Sequence, residues 1–154
     1  MSKAATEAHI VATLRAVPAL AGVRVVKAPA PDDFTEGVTY RELSSFDVKE
    51  VGNAIVQRIS EYMIVAEKKG QHYDDVRAWH VGIRTIDGSA GANDYGTVLS
   101  CIVIGDVDLP ARPGSSTVQR TGVKIRLASK ESMEPNRALP SNEESTGSED
   151  APPN

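Results

Sequence analysis

Two apolar runs, residues 55–66 and 98–107, bracket a segment of helical period, and that order leaves the chain few ways to fold. Between them Val76, Trp79, His80, Ile83 and Ile86 fall at the spacing of a single helix face, which predicts a helix over 74–87. Asp87-Gly88 ends it, because glycine takes the left-handed conformation that closes a helix, and Asp74 and Asp75 place negative charge where the first turn leaves amide groups unpaired. The core order is therefore strand, turn, helix, loop, strand. The first run carries apolar residues on both its odd and its even positions, so it is expected to be a strand covered on both sides for part of its length, with helix as the competing reading for 55–69.

The flanking chain follows the same logic. Residues 3–17 form an expected first helix with Ala5, Ala8, Ile10, Val11, Leu14 and Val17 on its apolar face, Ser2 as its cap and Pro18 as its stop. Val23, Val25 and Val26 make a short strand, residues 28–37 a loop containing the lone aromatic Phe34, and residues 39–46 another strand. The small residues of 89–96 form a loop before the second apolar run, and the prolines and glycine of 109–114 a hard break. A final strand over 118–127 alternates Val123, Ile125 and Leu127 with Lys124, Arg126 and Ala128, the pattern of a strand with one face in water.

Charge divides the chain in two. Residues 1–129 hold 15 acidic and 15 basic side chains, whereas residues 130–154 hold 6 acidic and 2 basic, so the tail carries the whole net charge of −4. The tail is also poor in large apolar residues and repeats Pro, Ser and Glu, which predicts disorder in isolation. A neutral body argues against tight nucleic-acid binding, since phosphate contacts are made by Lys and Arg. No apolar stretch is long enough to span a membrane and no secretory signal is visible, which makes a cytoplasm the expected compartment. The single Cys101 sits inside an apolar strand and is expected to be a small buried filler.

The chain shows little of the patterning that catalysis or metal binding requires. His9, His72 and His80 stand in no metal-binding spacing, Ser100-Cys101 lacks a nucleophile elbow, and the glycines of 88–96 follow a helix where a dinucleotide fingerprint follows a strand. Asp106 and Asp108 lie at i, i+2 on a strand end, where solvation of an exit loop is the plainer reading. No catalytic, cofactor or metal residue is therefore assigned. With a good core and no site, such a chain is expected to act through its surfaces, and Phe34, Lys68, Lys69 and Arg112 are the candidate subunit or partner contacts, because they occupy long or charged connections.

The order AVPALAG, VRVVKAPAP, VTYRELSSFD, QRISEYMIVAEKKG, YDDVRAWHVGIRTIDG and GTVLSCIVIGD resembles the tail terminator (tail completion) proteins of long-tailed bacteriophages over residues 4 to about 128. The resemblance implies a homo-oligomeric, hexameric ring that caps the tail tube, stops its polymerisation and joins the head-completion connector. It implies as partners the major tail tube protein, the connector protein and genomic DNA passing through the lumen without sequence-specific binding. It implies residence in the virion tail or neck after assembly in the host cytoplasm, and no enzyme activity. The expected fold is α+β, a mixed or antiparallel β-sheet packed against two helices in a ring-forming subunit, with one domain over 1–129 and a flexible C-terminal tail over 130–154. Rival readings are another neck protein such as a stopper or adaptor, a small enzyme using Asp106, Asp108 and His80 if those groups converge, and a ligand-binding domain.

Overall fold

A computed structural model describes residues 4–49, 55–70, 73–109 and 118–132. Its centre is one six-stranded sheet in the order β1-β2-β3-β6-β5-β4. The strands are β1 (Val25–Lys27), β2 (Glu36–Lys49), β3 (Ile55–Lys69), β4 (Gly91–Asn93), β5 (Gly96–Asp108) and β6 (Val118–Ser132). Only β1 and β2 run parallel, and every other neighbouring pair is antiparallel. Two helices, α1 (Ala4–Arg15) and α2 (Tyr73–Arg84), lie on one side of it.

The proportions correct the expected α+β ring-forming subunit. More than half of the described residues are in strands, and a curled mixed sheet with two short helices fits poorly with a ring subunit built from helices packed on a sheet. The cause is strand length. β2, β3 and β6 run 14, 15 and 15 residues, while each helix has 12. The expected strands of 39–46 and 118–127 grow at both or one of their ends because paired neighbours satisfy the backbone of residues whose own β propensity is modest. Register shifts at Glu42/Ser44, Val98/Ser100 and Val103/Gly105 insert bulges that bend the sheet.

The two faces of β3 settle its competing readings in favour of a strand. Tyr62, Ile64 and Ala66 are fully buried beneath the helices, opposite Ile125, Val123 and Thr121 of β6. The intervening Ile59, Glu61, Met63 and Val65 are half-buried on the side that carries no helix. Helix α1 contributes Ala5, Ile10 and Leu14 to the core, and α2 contributes Val76, Trp79 and Ile83, with Ile86 in the turn that follows. Pro18 opens a single 3-10 turn, Pro18–Leu20, whose Leu20 seals the join between the helices. Gly82 is where α2 approaches that turn, since a Cβ there would stand 3.1 Å from Val17 Cγ1.

The loop expected over 89–96 contains the edge strand β4. Beyond β4 the outer edge of β5 is covered by the turn that follows α2. The Gly88 amide donates to the Cys101 carbonyl at 2.7 Å, and the Val103 amide donates to Asp87 Oδ1 at 2.8 Å. α2 stops at Arg84, three residues short of the expected 87, and Gly88, in the left-handed region at φ 84°, closes the turn that follows it. β6 continues to Ser132, and the Ser2 cap, the 50–53 connection and the tail from residue 133 lie outside the described residues.

Candidate functional site

The structure gathers polar chemistry in a cleft where α2 crosses the ends of β5 and β6. Tyr73, Val76, Arg77 and His80 of α2 face Asp108, Gln119, Arg120 and Thr121 across a volume of about 420 Å³. His80 bridges the elements: Nε2 lies 3.1 Å from Asp106 Oδ1, and Nδ1 lies 2.9 Å from Thr121 Oγ1. A neutral ring satisfies both contacts when Nε2 donates to the carboxylate and Nδ1 accepts from the hydroxyl. Arg84, one turn further along α2, donates to the same Asp106 oxygen. The helical spacing that puts His80 and Arg84 on one face thus aims both at a carboxylate on β5.

His80 and Asp106 therefore do meet, and Asp108 lines the same cleft, so two of the three groups that a small enzyme would use stand within hydrogen-bond reach. Thr121 completes the relay and escaped the sequence reading. It sits near the start of β6 with no motif around it, and only its register opposite Asp108 brings it to α2. The arrangement can hold a proton between a carboxylate and a hydroxyl. It can equally clamp α2 to two strands, and Arg84 neutralising Asp106 favours the clamp. Among the described residues no group of three His, Cys, Asp or Glu side chains could hold a metal ion, and no helix is long and apolar enough to cross a membrane.

The second feature is the helix-free side of the sheet. Register places Phe46, Ile59 and Ala128 in one cross-strand row and Ser44, Glu61, Arg126 and Ile102 in the next. Phe46 is 58% exposed and Ile102 42%. Further along, Arg41, Met63, Val65, Glu67, Leu109 and Arg120 line a second hollow of about 270 Å³. Two ion pairs cross this side, Arg126–Glu61 at 2.8 Å and Arg120–Glu67 at 3.4 Å. Arg41, Lys69, Lys124 and Lys130 share the same side by strand alternation and add positive charge. A body that is neutral in sum is thus cationic on one face.

The four contact candidates lie in different settings. Phe34 is 8% exposed and tucks back on the body, with the Arg24 guanidinium 5.8 Å above its ring. Lys68 ends β3 and faces α2, donating to Asp75 at 2.8 Å with its ammonium 5.7 Å over Trp79. That hydrogen bond holds its pKa above the ordinary lysine value. Lys69 is exposed, and Arg112 lies outside the described residues. Phe46 and Ile102 escaped the sequence reading as surface features, although the alternation of their strands carried the signal.

No family model matches the chain, and no curated protein matches it. Solved structures do match. One is a chain of the virion of a native gene transfer agent (GTA) particle, with a TM-score of 0.64 and 16% sequence identity over 82% of this chain and 95% of that one. At that identity the likeness concerns the fold, which the two share over nearly the whole of the virion chain.

Proposed function

We propose that this protein is a structural component of a phage-like virion, acting through surfaces and not through chemistry. The observation that carries the proposal is the fold shared with a virion chain over 82% of this chain and 95% of that one. The helix-free face supports it, since Phe46 of β2 and Ile102 of β5 lie exposed on it. Within that class, the element order over residues 4 to about 128 favours a tail terminator, which caps the tail tube and meets both the tube protein and the head-completion connector.

Negative-stain images of particles assembled without this protein test the reading. Tails of uncontrolled length beside filled, unjoined heads are expected, and normal joined particles would refute a virion role. Retention of purified tail tube protein distinguishes a terminator from a stopper or adaptor, which would retain portal or adaptor protein.

The His80 relay favours one second reading, a small hydrolase with Asp106, His80 and Thr121 as its polar chain. Turnover of a panel of activated esters that disappears in Thr121→Val and His80→Ala would establish it. Equal, background hydrolysis by all three proteins would remove it.

A further inference from the structure

We propose that the acidic segment following β6, residues 133–154, lies back over the cationic helix-free face of its own chain and occupies that face until a partner displaces it.

Three observations point to this occupant. The first is charge. Arg41, Lys69, Arg120, Lys124, Arg126 and Lys130 share that face against Glu61 and Glu67, while the segment carries Glu134, Glu143, Glu144, Glu149 and Asp150 against Arg137. The second is the point of departure. The chain leaves β6, an interior strand of the sheet, at Ser132, a few residues past the Ala128 that sits in the exposed row with Phe46 and Ile59. A hollow of about 250 Å³ lined by Ser44, Phe46, Ile59, Glu61 and Arg126 lies on the same face, within the length of chain that separates Ser132 from Leu139. The third is length. Glu143 and Glu144 stand about a dozen positions past Ser132, and Arg120 about a dozen positions before it, so at ~3.3 Å per residue the acidic pair can return as far as the basic end of β6.

Tethering strengthens the case against rivals. A segment attached beside its site acts at an effective concentration of order millimolar, which a free polyanion such as duplex DNA must exceed. A second copy docking face to face would set the net positive charge of one face against that of the other, which disfavours it.

Carbodiimide coupling of the full chain, which joins a carboxylate to an amine with loss of water, tests the contact when followed by peptide mapping. At low salt, links from Glu143, Glu144, Glu149 or Asp150 to Lys69, Lys124 or Lys130 are expected within monomeric protein. Their yield is expected to fall at least about fivefold in ~1 M NaCl, where the screening length is about 3 Å. The Glu143→Lys, Glu144→Lys double variant is expected to bind a fluorescent DNA duplex more tightly than the parent. Absence of tail-to-sheet links, equal linking to Lys27 on the helix side, links found only between chains, or equal DNA binding by parent and variant would each overturn the proposal.

Discussion

Three adjacent positions of α2 respond to alanine in three different ways if the helix is seated as described. Ile83 is 1% exposed against the sheet, and Ile83→Ala removes about 2–3 kcal/mol of transfer free energy and leaves a cavity, for a total near ~3–4 kcal/mol. Val81, two positions earlier, is 59% exposed, so Val81→Ala stays within about 0.5 kcal/mol of the parent, with better helix propensity offsetting the small lost contact. Gly82→Ala sets two effects against each other. Helix propensity gains about 1 kcal/mol, while the new Cβ meets Val17 Cγ1 at 3.1 Å and Ala19 Cβ at 3.4 Å. Val17 is half-buried in the connection after α1 and can give by a few tenths of an ångström, so the sum stays within ~1 kcal/mol of zero. Urea unfolding at constant slope reads all three, and Ile83→Ala should lower the midpoint by about 1.5–2 M. An Ile83→Ala shift no larger than that of Val81→Ala would refute the seating of α2 on the sheet.

Three further outcomes follow from buried polar groups. Burial holds the pKa of His9 below its ordinary value while its Nε2 meets Ser89 Oγ at 2.9 Å. The unfolded chain then takes up the proton first, so stability is lost as pH falls from about 6.5 towards the folded pKa; His9→Gln should flatten that loss in melts between about pH 7 and 5. Burial pushes the Cys101 thiol up to about 11. Only about one thiol in a thousand is then thiolate near pH ~8, and labelling with a disulfide reagent should proceed at the rate of unfolding, a prompt reaction in native buffer being the contrary result. Tyr62 OH donates to Glu7 Oε2 at 3.2 Å and lies 3.4 Å from Thr6 Oγ1, tying the central strand to α1. Tyr62→Phe keeps the ring and should cost ~1–2 kcal/mol in a thermal or urea melt.

Local period made much of the fold legible. The face of α2, the burial of Val123, Ile125 and Leu127, and the strand character of 55–66 and 98–107 all follow from which residues recur at 3.6 or at 2, and such recurrences need no knowledge of neighbours. The extent of the strands did not follow, because residues such as Glu36 and Lys130 are held in β2 and β6 by pairing partners and not by their own preference. The short strand β4 was hidden for the same reason. Gly91, Ala92 and Asn93 have little β propensity, and they become a strand by lying against Gly96 to Val98.

The candidate site depended still more on tertiary structure. Asp106, His80 and Thr121 occupy three different elements, and their contacts exist only because α2 crosses β5 and β6 at one place. Charge tells the same story. The sequence alone determined that the body is neutral in total and that the acidic surplus lies beyond residue 129, since those are sums along the chain. Only strand order and register decided that Arg41, Lys69, Lys124 and Lys130 share one face while Asp74, Asp75 and Asp106 lie on the helix side. A sum is blind to position, whereas the field at a surface depends on the distance to each charge, and those distances are set by the pairing of strands far apart in the chain.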